Sequence, residues 1–237
     1  MNLTVAGLTA RALLGRRRIL LLLPMPVLLI GLTLFGMTTP GSPEEWAPTI
    51  LGDLGLGVIL PLTALIVGSS VLGLEIEDGT ITHILTKPLP RHEIIVAKLV
   101  VAWLVTTATT AVPLAIAGAV VGGGTLAVGL GLGAVVGALA YTAFFLALSL
   151  MSRRPVAIGL VYIMLWENLL VRFVSGARVL SIQQYSVSLA DNLAPGPYLD
   201  STLAPLTAAI LAAVFIALGT TVATARLRSF ALTGETS

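Results

Sequence analysis

The chain has 237 residues, of which 57 % are hydrophobic and only 10 % are charged, with a formal net charge of +2. Soluble domains are about 25 % charged, so this composition excludes an ordinary soluble enzyme, and it excludes a disordered chain, which would be polar. The absence of cysteine excludes disulfides and thiolate metal sites. The apolar residues occur in runs of about 20, the length that crosses a bilayer as a helix, and these indicate an integral membrane protein.

Six apolar runs predict an all-α membrane protein with six transmembrane helices, forming one domain over residues 1–237. Each run is continuously apolar, whereas the strands of a membrane β-barrel would alternate over about ten residues. The predicted spans are 20–38, 54–74, 99–121, 127–150, 156–174 and 203–225.

Lysine and arginine predict the orientation of these spans. If the N-terminus is inside the cell, all thirteen basic residues except Arg172 and Arg178 lie on the cytoplasmic side, while the acidic residues divide evenly. A basic bias without an acidic one is what the positive-inside rule describes. Both termini are therefore predicted to be cytoplasmic in a multi-pass protein of the plasma or inner membrane. The basic charge reflects topology, so no nucleic-acid partner is expected.

The connecting segments carry further predictions. Val5, Leu8 and Ala12 share one helical face, which indicates an amphipathic N-terminal helix on the inner membrane surface. The capping-box pattern that starts at Ser42 predicts a short outer helix ending at Ile50. Tight turns are expected at 122–126 outside and 151–155 inside. The long outer segment 175–202 repeats apolar residues at helical spacing, which predicts a helix on or in the membrane. These residues are Ile182, Tyr185, Leu189 and Leu193.

Polar residues inside the spans are candidates for an intramembrane pathway. Glu167 is the one acid within a predicted span, and a carboxylate at membrane depth is costly, so it suggests a function. Its possible partners are Arg172 or Arg178, and a purely structural hydrogen bond is the alternative. Thr106 and Thr110 in the third span either line a polar path or bond between helices.

Glycines in the fourth span repeat every four residues, at Gly129, Gly133 and Gly137. This spacing gives a smooth helix face that another backbone can approach, either within the subunit or at a subunit interface. The sequence contains no GxxxxGK[ST] phosphate-binding loop. The spacing of His83 and His92 matches no known metal-ligand pattern. No catalytic residue, metal or cofactor is therefore expected for this chain.

The one long cytoplasmic loop, 75–98, separates the second and third spans. Asp78 begins a turn that ends the second span, Thr80 is a suitable cap for a short helix, and Pro88 and Pro90 end that helix. The helix would carry a small apolar ridge of Ile81, Ile84 and Leu85. Such a ridge among charges is typical of a docking site for a soluble partner. A surface helix without a partner is the alternative.

This loop resembles the segment between spans two and three in permeases of type-2 ABC transporters. The residues that carry the resemblance are Glu75, Glu77, Gly79, Thr80, Leu85, Pro88, Arg91, Glu93 and Lys98. The six spans, the cytoplasmic termini, the amphipathic lead-in helix and the long outer segment before the last span are also similar to that family's layout.

The resemblance implies a permease subunit that forms the translocation path of an ATP-driven exporter. It implies two copies of a separate ABC ATPase and a second permease, either an identical copy or a sister chain. The loop helix would be the coupling helix that receives the motion of the ATPase. The coupling region would comprise Glu75, Glu77, Gly79, Thr80, Leu85, Pro88, Arg91 and Lys98.

Two other functions remain open at the level of sequence. A membrane scaffold could recruit a soluble partner without transporting anything. A proton-coupled carrier could use Glu167 as a relay, but such carriers are built from repeats and none is visible. The residues do not identify the transported substrate.

Overall fold

The computed structural model describes residues 7, 9, 22–77 and 90–233. Within these ranges the chain is helical and contains no strand. The elements are α1 (Pro24–Thr38), α2 (Pro43–Ala47), π1 (Pro48–Ile59), α3 (Leu60–Glu77), α4 (Arg91–Met151), α5 (Pro155–Val161), π2 (Tyr162–Leu170), α6 (Val171–Phe173), a 3₁₀-helix (Ser175–Leu180), α7 (Ile182–Leu193) and α8 (Pro205–Thr233).

Three helical stretches in the described part of the chain are long and apolar enough to cross a membrane. They are Pro43–Val71, Arg91–Met151 and Pro205–Ser229. Two shorter apolar helices cover Pro24–Thr38 and Pro155–Leu170. The prediction of an all-helical membrane protein is therefore confirmed, whereas the number of crossings and the side on which the termini lie stay predictions.

The 61-residue helix α4 is two antiparallel legs rather than one rod. Gly123 interrupts it with φ of 77°, a left-handed conformation that glycine adopts without steric cost. The legs then fold back on each other, since the Trp103 indole N–H donates to the Val135 carbonyl at 3.0 Å. Next to the turn, Gly118 lies against Leu126 and Leu130. The reversal falls inside the predicted turn at 122–126.

The first leg of α4 runs antiparallel to the preceding helix. Lys98 bonds to Val71 at one end, and Leu114 lies against Gly55 at the other. These contacts hold the helices that precede and follow residues 78–89 together as one pair.

The second leg of α4 is the centre of the bundle, because α3, α7 and α8 all pack against α4. Small residues make the close contacts. A Cβ added at Gly219 of α8 would lie 2.8 Å from the Ala143 carbonyl oxygen, and one at Gly68 of α3 would lie 3.2 Å from the Phe145 Cβ. Helices in lipid associate by such close packing, because their apolar side chains gain little by leaving the hydrocarbon.

Helix α7 lies along the glycine face of the second leg. A Cβ at Gly133 would be 2.5 Å from the Ser186 carbonyl oxygen, and a Cβ at Gly129 would be 2.6 Å from the Ala190 carbonyl oxygen. The face of Gly129, Gly133 and Gly137 therefore packs against a helix of the same chain. The helix forms in the predicted outer segment. Of the predicted apolar repeat, Ile182 and Tyr185 are buried, whereas Leu193 is 48 % exposed.

Two local expectations need correction. The capping pattern at Ser42 does start a helix at Pro43, but the Ser42 side chain makes no capping bond; its carbonyl accepts from the Glu45 N–H at 3.1 Å instead. No separate outer helix ends at Ile50, because α2, π1 and α3 continue without a break from Pro43 to Glu77. The predicted amphipathic helix through Val5, Leu8 and Ala12 lies outside the described residues.

We expect Gly133→Ala to destabilise the protein. The new methyl group would overlap the backbone of α7, which cannot rotate away, and overpacking of this kind typically costs about 1–3 kcal/mol. The measurement is thermal unfolding in detergent. Gly31→Ala in α1 is the matched control, because nothing lies within 4 Å of its added Cβ. Equal melting temperatures for the two variants would contradict this packing.

Candidate functional site

The predicted coupling region lies partly outside the described residues. Gly79, Thr80, Leu85 and Pro88 fall in the gap 78–89. Glu75 and Glu77 lie in the last turns of α3, where only the backbone is described. Arg91 is the first residue of α4, and Lys98 lies two turns further along it. The structure therefore places both ends of the loop but not the docking helix itself.

Lys98 is a buried cation at the base of the α3–α4 pair. It is only 1 % exposed, and its Nζ donates to the Val71 carbonyl oxygen at 3.0 Å. Its surroundings are an apolar cluster at this end of the bundle, formed by Val71, Ile94, Ile95, Leu99 and Ala102 among others. A buried ammonium is costly without partners, so this bond ties the two helices together where the loop leaves them.

The carboxylate of Glu167 accepts four hydrogen bonds. Its Oε1 accepts from the Tyr141 hydroxyl, the Tyr162 hydroxyl and the Ile182 N–H, each at 3.0 Å. Its Oε2 accepts from the Ser181 hydroxyl. Glu167 is 1 % exposed, and all four partners are donors, which suits an acceptor-only carboxylate.

These four donors come from three parts of the fold. Tyr141 lies on the second leg of α4, Tyr162 begins π2, and Ser181 and Ile182 start α7. Ser181 is also the N-cap of α7, because its Oγ accepts from the Gln184 N–H at 3.2 Å. A negative charge at a helix N-terminus is stabilised by the orphan N–H groups and the helix dipole. Glu167 thus fixes the start of α7 onto the bundle.

Of the two arginines proposed as partners of Glu167, only the Arg178 side chain is described, and it bonds elsewhere. The Arg178 Nε donates to the Val171 carbonyl oxygen at 3.4 Å. The Arg172 side chain lies outside the described residues. Hydroxyl and backbone donors satisfy the carboxylate, as the structural alternative expected.

A polar pocket of about 150 Å³ opens beside Glu167. Gln183, which is 9 % exposed, reaches into it across Gly57, where an added Cβ would lie 2.5 Å from the Gln183 Nε2. Its remaining walls are Asp53, Val171, Arg178, Gln184, Asp200 and Thr202. The pocket brings the π1 segment, π2 and the outer segment together around a polar space.

The two threonines proposed for a pathway do not line this pocket. The Thr110 hydroxyl donates to the Thr106 carbonyl oxygen at 2.7 Å, a bond within the helix. The Thr106 hydroxyl is buried, and in the part of the chain that the structure describes no partner accepts or donates to it. The buried Thr63 hydroxyl on α3 likewise has no hydrogen-bond partner among the described residues. The structure thus separates the threonines from Glu167.

Sequence reasoning missed Tyr141, Tyr162, Ser181 and Gln183. Tyr141 and Tyr162 are tyrosines inside long aliphatic runs, and a tyrosine hydroxyl at membrane depth needs a partner, so each was a signal for a buried acceptor. Ser181 stands just before the helical repeat that begins at Ile182, which is an N-cap signature. Nothing in the sequence pairs these residues with Glu167.

The fold defines the class: a helical membrane protein with a buried polar centre. A sequence profile described as ABC-2 family transporter protein matches residues 14–174. This range is more than half of the chain, which therefore belongs to the ABC-2 family, the membrane-embedded permeases of ABC transporters. It includes the cytoplasmic loop and Glu167. A comparison with curated proteins finds no significant match. Family membership implies an ABC ATPase as partner.

We expect Glu167→Leu to lower stability strongly. It removes the common acceptor of two tyrosine hydroxyls and the Ile182 N–H, and each buried donor left without a partner costs about 1–3 kcal/mol. Thermal unfolding and protease sensitivity of 174–182 measure the loss. Glu44→Gln, on the exposed first turn of α2, is the control and should be neutral. A Glu167→Leu protein as stable and as protease-resistant as wild type would contradict the anchoring role.

Proposed function

We propose that the chain is the permease subunit of an ATP-driven exporter, forming the translocation path and receiving motion from a separate ATPase. The observation that carries the proposal is the buried Lys98–Val71 bond at the base of the two helices that the cytoplasmic loop connects. The family match supports a role in ABC transport. Export rather than import is the direction that the resemblance of the loop implies.

The coupling proposal follows from the rigidity of the helix pair. The loop 78–89 leaves α3 and re-enters at α4, and the Lys98 bond together with the Gly55–Leu114 contact holds those helices in one register. A push on the loop would then move both helices as a unit. ATP can shift the permease between two states only if the ATPase binds those states with different affinities. Glu75, Glu77, Gly79, Thr80, Leu85, Pro88 and Arg91 are the proposed docking and hinge residues.

The proposed assembly contains two ATPase subunits and two permeases, the second being an identical copy or a sister chain. The helix faces that would meet lipid or the second permease are aliphatic, so an amphipathic or lipid-like substrate is compatible with them. The pocket beside Glu167 would belong to the outer part of the path. Glu167 itself acts in this proposal as an anchor of the outer segment rather than as a proton relay, because four donors already occupy its carboxylate.

The six-span topology with cytoplasmic termini can be tested directly, because the chain contains no cysteine. Single cysteines at Gly124 and Asp200 should react with a membrane-impermeant maleimide in intact cells. Cysteines at His92 and Arg153 should react only after the cells are permeabilised. Labelling of all four positions in intact cells, or the reverse pattern, would contradict the orientation.

We expect Lys98→Met to uncouple the permease from its ATPase. Loss of a charge-assisted bond of about 1.5–3 kcal/mol should lower permease-stimulated ATP hydrolysis in liposomes by about tenfold, whereas Lys98→Arg retains the donor and most of the stimulation. Arg226→Gln, an exposed basic residue of α8, is the control for loss of charge.

Two outcomes separate this proposal from its alternatives. Normal stimulation by Lys98→Met would contradict coupling through the helix pair. Assembly with an ATPase but no stimulated hydrolysis and no transport by the wild-type protein would favour a scaffold. Loss of folding is checked by thermal unfolding and by co-purification of each variant with the ATPase.

A further inference from the structure

The turn between α4 and α5 forms a basic entrance to an apolar groove. The groove has a volume of about 440 Å³ and is lined by Ser152, Arg153, Arg154, Ala157, Ile158 and Val161. The lining residues from the turn have polar side chains, and those from α5 are aliphatic. We propose that this groove binds one anionic phospholipid, with the phosphate on the two arginines and an acyl chain along α5.

The arginines are available for an anion. Both are exposed, and within the described ranges neither forms an ion pair with a carboxylate. Arginine presents a planar fork of donors that matches phosphate geometry. Two neighbouring guanidinium groups at a membrane surface attract anionic lipid by about 1 kcal/mol each.

The turn that holds these arginines is well defined. The Ser152 N–H donates to the Leu148 carbonyl at 3.0 Å, so it closes the end of α4. The Ser152 hydroxyl then accepts from the Arg154 N–H at 3.1 Å, and the Arg154 carbonyl accepts from Ile158 at 3.3 Å. The arginine backbone is therefore positioned before any ligand binds, which reduces the ordering cost of binding.

The apolar wall has the shape that an acyl chain needs. Ala157, Ile158 and Val161 lie three and four residues apart and so share one helix face. Ile158 is 46 % exposed and Val161 is 55 % exposed, although both are aliphatic. A free phosphate would leave this wall uncovered, and an uncharged lipid would leave the arginines without a counter-ion. An anionic phospholipid has both parts: a phosphate for the arginines and an acyl chain for the aliphatic wall.

The test is native mass spectrometry of the full chain with two lipids that share acyl chains, phosphatidylglycerol and phosphatidylcholine. We expect preferential retention of phosphatidylglycerol. The double variant Arg153→Gln/Arg154→Gln should weaken its binding by about 30-fold, since two contributions of about 1 kcal/mol are lost. Ala157→Trp keeps both arginines but fills the groove, and should also lose the lipid. Soluble glycerol phosphate should not displace it.

The matched control is Arg226→Gln/Arg228→Gln, which removes two exposed arginines from α8, where no groove is expected to hold an acyl chain. This control should retain the lipid.

Equal loss of phosphatidylglycerol in both double variants would overturn the proposal, because it would indicate binding to a diffuse positive surface. Equal retention of the two lipids would also overturn it. A shift from dimer to monomer in the Arg153/Arg154 variant, with lipid retention unchanged, would show that the groove binds a second copy instead. None of these readouts depends on transport.

Discussion

Four hydrogen bonds to the Glu167 carboxylate connect parts of the chain that are far apart in sequence. Tyr141 and Tyr162 bring the central helix and π2 to it, and Ser181 and Ile182 bring the start of α7. In an apolar surrounding each of these donors would be costly without an acceptor, and the acceptor would be costly without donors. The start of α7 therefore lies where all of these groups are paired.

Close backbone packing depends on the same arrangement. The start of α7 is fixed at Glu167, and the helix then follows the glycine face of α4. The Ala190 and Ser186 carbonyls lie against Gly129 and Gly133, and the Ser186 side chain lies against Gly137, where an added Cβ would not fit. Gly68 and Gly219 allow α3 and α8 to pack closely against Phe145 and Ala143 of the same leg. The core is thus a leg of α4 surrounded by small residues, which is how helices gain packing energy in lipid.

The end of the bundle next to the loop 78–89 is held by a different interaction. Here the buried Lys98 donates to a carbonyl of α3 within an apolar cluster, so a charge joins the two helices that the loop separates. The bonds of Glu167 and of Lys98 therefore hold the bundle at two separate places. In the proposed mechanism, motion entering at the loop is carried by the α3–α4 pair, and the outer segment moves with the central leg.

The sequence by itself determined the class of protein, most helix positions, the turn near Gly123 and the helix in the outer segment, because apolar runs, periodicity and glycine placement are local properties of the chain. It also identified Glu167 and Lys98 as residues of interest. Only the tertiary structure decided their partners: Tyr141, Ser181 and Val71 lie 14 to 27 residues away, and no local pattern pairs them. The same holds for the uninterrupted π1 segment and for the occupant of the glycine face. Those features depend on which helices pack together, because in the folded bundle each buried donor needs an acceptor.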